Sequence, residues 1–260
     1  MADGARLMRA WGFPNLGRVE LHLTPDVVAF APHGGCDALL YGANELLSGP
    51  LFTPSEANAR LEGNSVRGNG IIYPEQCVDG QVTEAGGLEL RRILSALPMH
   101  GSPPVRCAWG SAVRTIAPGV LRQNFRELLH ACPPPFACSS SPPLAAAEPR
   151  ALLLGCYLRA FDLAWRTDSR GGLPALATVA ASLLGAGARG FSLNRAADVL
   201  ADAVGSWRPP RCEGAEGAAA RVLCVGVQDE EVAEAVGSWL DRRARRNGHG
   251  TSRHGHEASL

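Results

Sequence analysis

The sequence contains no lysine: its 25 basic residues are all arginine, and 25 acidic residues cancel them to a formal net charge of zero. Without a basic excess the chain lacks the overall attraction for polyphosphate that marks nucleic-acid-binding proteins, so nucleic acid is not an expected partner. It has no uninterrupted apolar run of the ~18 to 20 residues that a membrane-spanning helix requires, and no membrane association is expected. The opening residues, MADGARLMRAWGFP, lack the apolar core of a secretory signal because Asp3, Arg6 and Arg9 interrupt it; an intracellular location, cytoplasmic or nuclear, is the expectation. The eight cysteines, at positions 36, 77, 107, 132, 138, 156, 212 and 224, include no C-x-x-C pair. Their spacing signals neither a zinc site nor a disulfide framework, and reduced, mostly buried thiols without metal or cofactor are expected.

What is present is ordinary globular material. With 260 residues, 46% hydrophobic and 19% charged, the chain can bury an independent core as one α/β domain with insertions or as two small domains, and one domain is expected. Val19–Leu23 alternates with period two, and Asp37–Tyr41 is a short apolar run ending at Gly42; both are predicted strands. Residues 48–76 hold Gly, Pro and Asn with little periodicity and read as an inserted surface loop with one short helix near Pro54–Leu61. Leu88, Leu90, Ile93, Leu94 and Leu97 recur at helical spacing, which predicts a helix over Thr83–Leu97 stopped by Pro98.

Beyond that helix, Val105–Thr115 and Glu127–Cys132 read as strands, and the Pro/Ser-rich segment 133–149 as a loop. The second half alternates: helix at Leu152–Thr167, strand at Leu176–Leu184, helix at Leu193–Trp207, strand at Val222–Val227 and helix at Glu230–Arg243. That order predicts a largely parallel sheet covered by helices on both faces, a three-layer α/β/α arrangement. Residues 1–18 are expected to be an N-terminal extension, 19–246 the domain, and 247–260 a disordered polar tail. Arg242–Arg246 reads as a solvated helix end that complements the macrodipole, and His249, His254 and His256 as incidental tail residues.

Between the predicted strand ending at Leu184 and the helix beginning near Ser192 lies Gly185-Ala186-Gly187-Ala188-Arg189-Gly190-Phe191. Glycines let a backbone approach a ligand closely, and successive N–H groups at a helix N-terminus favour phosphate, so a diphosphate fits such a loop; a tight turn without ligand fits it too. The run also satisfies G-x-G-x-x-G. A dinucleotide site, however, expects an acidic residue ~20 positions on at the end of the next strand. Asp202 falls inside a predicted helix and Asp229 comes too late.

Several separated segments resemble macro domains in the order that family shows them. Thr24-Pro25-Asp26-Val27 resembles its G-D-I turn, and Cys36–Asn44 its V-D-A-I-V-N-A-A-N. Val78–Gly87 is similar to V-D-G-A-I-H-R-A-A-G of the MacroD-type ADP-ribosyl hydrolases, and Gly110–Thr115 to their G-E-A-x-x-T. Gly185–Phe191 is similar to the second phosphate loop, S-T-G-I-Y-G-F. The resemblance runs from about Val19 to Trp239 and implies the three-layer α/β/α macro-domain sandwich.

It implies a site as well. Asp26 would accept from the adenine amino group, with the Val27 N–H on a ring nitrogen; in its other reading Asp26 is a turn residue. Asn44 would hydrogen-bond the distal ribose, or else form a turn. Phe191 would pack beside that ribose or in the core. Asp79 would position or activate the water that attacks the anomeric carbon, or would sit in a plain V-D-G turn. The implied ligand is ADP-ribose or ADP-ribosylated protein, bound without metal. The activity is either hydrolysis of the ADP-ribosyl linkage, in mono-ADP-ribosylated protein or O-acetyl-ADP-ribose, or non-catalytic reading of the modification. The chain departs from the family where Tyr73–Cys77 replaces the glycines of the first phosphate loop, where Thr83 replaces a His, and where Val225-Gly226-Val227 offers adenine no aromatic partner.

Overall fold

The periodicities of the sequence are realised in a computed structural model that describes residues 4–50, 77–136, 147–166, 175–209 and 221–247. Seven strands form one sheet: β1 (Arg6–Phe13), β2 (Gly17–Leu23), β3 (Cys36–Gly42), β4 (Ala112–Ile116), β5 (Phe125–Ala131), β6 (Thr178–Ser182) and β7 (Val222–Val227). The helices are α1 (Val78–Ser95), α2 (Ala147–Trp165), α3 (Leu193–Ser206) and α4 (Glu230–Arg246). The strand order is β1-β2-β7-β6-β3-β5-β4, with β2, β7, β6, β3 and β5 parallel and the edge strands β1 and β4 antiparallel to their neighbours.

The inner strands β3, β6 and β7 are largely apolar on both faces, because helices cover both, whereas β2 and β5 also bury Glu20, His22, Glu127 and His130. Along β3, Ala38 and Leu40 join the core shared with α2, α3 and α4, while Leu39 and Tyr41 join the core shared with α1 and the segment Val27–Cys36. The result is the three-layer α/β/α sandwich with a mixed, largely parallel sheet that the alternating pattern predicts. Asp37, at the amino end of β3, fixes the register of the neighbouring strand. Its Oδ2 accepts from the backbone N–H groups of Ala177 (2.6 Å) and Thr178 (2.9 Å), and its Oδ1 pairs with Arg126 at 3.0 Å.

Four segments differ from their sequence-based expectations. Residues 6–13 are not outside the domain but form edge strand β1, whose alternation is masked in sequence by Arg6 and Arg9, which pair with acidic residues of α4. Trp11 and Phe13 are buried, and both Arg9 Nη1 (3.0 Å) and Trp11 Nε1 (2.8 Å) donate to Asp241 of α4. Helix α1 starts at Val78 rather than Thr83, so V-D-G is its first turn; Cys77 caps it, its sulfur accepting from the Gly80 N–H. Inside α1, Gly87 takes a non-helical conformation (φ 54°, ψ −146°). Across that break the buried positions Val82, Gly86, Leu90 and Leu94 keep a four-residue spacing, while Leu88 is exposed.

Helix α2 begins inside the expected 133–149 loop, with Pro149 in its first turn, where a missing N–H costs nothing. Of the expected strand Val105–Thr115 only Ala112–Thr115 pairs in the sheet, as part of β4; before it the N–H groups of Arg106 and Cys107 donate to the Glu45 carbonyl and Gly110 turns the chain with a φ of 81°. The expected short helix at 54–61, and residues 73–76 of the altered first loop, lie outside the described residues. None of the six described cysteines is in a disulfide. Among the described residues no helix is long and apolar enough to cross a membrane.

Candidate functional site

Strands β2, β7, β6 and β3 run parallel and deliver their carboxyl ends to one edge of the sheet, the edge along which open α/β sheets bind ligands. Thr24–Val27 follows β2, Gly185–Phe191 follows β6, and Ala43 and Asn44 follow β3. From β2 to β3 is three inter-strand spacings of about 4.8 Å, roughly 14 Å in all. The site is therefore a long rim rather than a point.

The Gly185–Phe191 loop occupies the middle of that rim. Gly185, Gly187 and Gly190 all have positive φ (85°, 115° and 77°), which explains the glycines. Two internal bonds hold the turn, Gly190 N–H to the Gly187 carbonyl (2.8 Å) and Phe191 N–H to the Gly185 carbonyl (3.1 Å). A Cβ on Gly185 would press on Leu153 and Phe191, whereas one on Gly187 would meet nothing within 4 Å. The backbone at Gly187 thus faces open space. Helix α3 starts immediately after, with Ser192 as N-cap, no side-chain cap bond and no acidic residue in its first turn. The positive end of its dipole is left for an anion. Phe191 itself is core: it is 1% exposed, with its ring 5.1 Å from that of Phe136.

Arg189 ties this loop to β3. Its Nη2 donates to the Ala43 carbonyl at 2.8 Å and stands 3.6 Å from Glu45 Oε2, while Trp109 Nε1 donates to the other oxygen of Glu45. Asp79, in the first turn of α1, lies within electrostatic reach of both Arg189 and Tyr41. Burial pushes the Asp79 carboxyl up to about 7, against the opposing pull of Arg189.

Behind Asp79 is a buried polar chain that sequence reasoning missed. The Tyr41 hydroxyl bonds His130 Nδ1 (2.6 Å), and His130 Nε2 bonds Thr115 Oγ1 (2.8 Å). Burial lowers the His130 pKa to about 3, so the imidazole is neutral; accepting from Tyr41 and donating to Thr115 satisfies both its nitrogens. Tyr41 is raised well above its ordinary value by burial and by the charge of Asp79. The only signal in the sequence was a His and a Thr at interior positions of strands, and their pairing depends on β3, β4 and β5 being neighbours.

Two expected ligand residues are occupied locally. Asn44 Nδ2 donates to Ser48 Oγ (3.2 Å) and to the Gly49 carbonyl, and its Oδ1 accepts from the N–H groups of Leu46 (3.0 Å) and Ser48 (3.2 Å). The amide builds its own turn. Asp26, exposed, accepts through Oδ1 from the N–H groups of Val28 (2.7 Å) and Ala29 (3.1 Å), and Val27 is buried in the core on the α1 face of the sheet. At the β2 end of the rim, Gly226 lies against Phe30 and Thr24, where a Cβ would come within 3.1 Å of each.

No protein-family profile matches the sequence, and no curated protein does. Solved structures do match. A macrodomain of Oceanobacillus iheyensis, solved with ADP, superposes with a TM-score of 0.62 at 13% identity, covering 93% of this chain and 98% of that one. A Trypanosoma brucei macrodomain in complex with ADP gives 0.54 at 17% identity, covering 85% of this chain and 68% of the other. The macro domain of ganglioside induced differentiation associated protein 2 gives 0.55 at 16% identity, covering 91% and 93%. The order of the strands, the helices on both faces and these superpositions together establish that this chain has the macrodomain fold.

Proposed function

We propose that this protein binds ADP-ribose, free or attached to protein, along the carboxyl edge of its sheet, and hydrolyses the ADP-ribosyl linkage with Asp79 as the base. The binding reading is supported by the fold, by the ADP carried on two of the similar macrodomains, and by a glycine loop whose backbone faces open space at the N-terminus of α3. A rim of roughly 14 Å suits an extended ligand with its diphosphate at Gly185–Phe191, its adenine toward Asp26 and Val27, and its distal ribose toward Ala43 and Asn44. Ala186, Ala188 and Gly190 serve there through their backbones. Phe191 acts from beneath, holding the loop to the core rather than touching the sugar.

One feature carries the catalytic reading: a carboxyl in the first turn of α1, within electrostatic reach of Arg189, that burial pushes up to about 7. A general base works best when its pKa lies near the working pH, and desolvation is the usual means of lifting a carboxylate there. Asp79 would take a proton from the attacking water, and Arg189 is placed to steady the carboxylate formed at higher pH. The expected outcome is that Asp79→Ala abolishes release of ADP-ribose from a mono-ADP-ribosylated protein while calorimetry finds its affinity for ADP-ribose within about tenfold of wild type, about 1.4 kcal/mol. Turnover equal to wild type would remove Asp79 from the mechanism.

A second reading, non-catalytic recognition, draws on Asn44. An amide that already holds its own turn must give up those bonds to orient a distal ribose. Saturable binding of ADP-ribose without release from any modified substrate selects this reading.

A further inference from the structure

Beneath the segment Thr24–Gly35, three buried donors and one half-exposed donor converge. Glu20 and His22 lie two residues apart on β2 and so point to the same face. Cys224 is the register partner of Glu20 on β7. His33 comes down from the single helical turn Pro32–Gly34. One donor atom from each of the four lies within 4.8 Å of all the others. Glu20 Oε2 is the hub, 2.9 Å from His22 Nε2, 2.8 Å from His33 Nε2 and 3.7 Å from Cys224 Sγ.

From these positions we infer that Glu20, His22, His33 and Cys224 form a structural binding site for a zinc-class divalent ion. Tetrahedral zinc, with ligand bonds of about 2.0–2.3 Å, spaces its donors roughly 3.3–3.6 Å apart, and the contacts here bracket that range. The donor set, two imidazoles, a carboxylate and a thiolate, is one that suits zinc. A carboxylate and a thiolate cancel the charge of the ion, so a neutral unit is left in the core. Binding releases the Cys224 thiol proton to solvent.

The surroundings fit a supported site. Arg18 Nε donates to Glu20 Oε1 at 2.5 Å, which holds the carboxylate while leaving Oε2 for the ion. The Phe30 ring, fully buried, stands 5.2 Å from the His22 ring at an interplanar angle of 62° and walls off one side. Glu20 is 1% exposed and His22 5%, whereas the His33 side chain is 52% exposed and offers the way in. His33 holds a positive φ of 63°, rare for a residue with a Cβ, and that conformation directs its ring inward at the cluster.

Four protein ligands leave no open position, so the ion would hold structure rather than perform chemistry. It would pin the segment that carries Asp26 and Val27 to β2 and β7. The site is independent of what the rim binds.

The test uses the full chain after removal of metal by chelator. Titration with cobalt(II) is expected to saturate at one equivalent, with the intense visible bands of tetrahedral cobalt and a near-ultraviolet thiolate-to-cobalt band. Calorimetry with zinc(II) should give the same stoichiometry, and zinc should raise the melting temperature. His33→Asn keeps a residue that tolerates positive φ while removing the exposed imidazole; it should weaken zinc by at least about tenfold and remove the thermal gain. Cys224→Ser should abolish the thiolate band. No tetrahedral cobalt spectrum at one equivalent overturns the site. So does an unchanged zinc affinity in His33→Asn, which would put the ion elsewhere, for instance on His249, His254 and His256.

Discussion

An aspartate in an unfolded chain ionises near pH 4. In the folded protein burial lifts Asp79 to about 7, so between these values the native state holds a proton that the unfolded state has lost. Stability contributed by this residue therefore falls as pH rises from about 4 to about 7, and the full cost of the buried carboxylate remains above that. Asp79→Asn should be more stable than wild type by on the order of 2 kcal/mol at pH 8, a shift of about three pKa units discounted for partial exposure, and within about 0.5 kcal/mol at pH 4. Urea denaturation at the two pH values measures this; an equal difference at both would mean the carboxyl is not lifted. If Asp79 is also the base, hydrolysis by wild type rises through the same window. The identity of this residue as a candidate was legible in V-D-G. Its elevated pKa was not, because that comes from the burial that follows once α1 starts five residues earlier than its apolar spacing indicates.

At the scale of the element, the glycine loop separates two roles that one motif conflates. Gly185 is required by the core, where a Cβ would press on Leu153 and Phe191, while Gly187 is required by its φ of 115° and borders open space. Gly185→Ala should lower stability by about 1–3 kcal/mol through overpacking and strained backbone, with little loss of ADP-ribose affinity per folded molecule. Gly187→Val should cost about 1–2 kcal/mol in stability but weaken ADP-ribose by at least about tenfold, because its side chain fills the space over the backbone N–H groups. Denaturation and calorimetry on the pair of variants check the crossed pattern; equal effects on binding would take the diphosphate off this loop. The loop's position between β6 and α3 was legible because apolar runs and small residues are local. The tether from Arg189 to Ala43 and Glu45 was not, since it spans the chain from residue 189 back to residue 43.

At the scale of the molecule, what escaped the sequence is whatever the sheet order brings together. Glu20 and Cys224 meet only because β2 and β7 are neighbours, and His130 finds Tyr41 and Thr115 only because β5 lies between β3 and β4. The same holds for β1, which short alternation with two arginines disguises as an extension although it closes the sheet edge against α4. Trp11, 2% exposed, donates to Asp241 from its indole while its ring fills the core between sheet and helix. Removing it empties a large buried volume, so Trp11→Ala should destabilise by about 3–5 kcal/mol. Asp241→Ala leaves the ring in place but orphans its N–H and leaves the Arg9 guanidinium only its 3.8 Å pairing with Glu234, at a smaller cost of about 1–3 kcal/mol. Because β1 lies at the far edge from β3 and α1, folded Trp11→Ala should match wild type in any hydrolysis that wild type shows. Chemical denaturation orders the two variants; a Trp11→Ala cost below about 1 kcal/mol, the range of ordinary surface substitutions, would return residues 6–13 to the status of an appended arm.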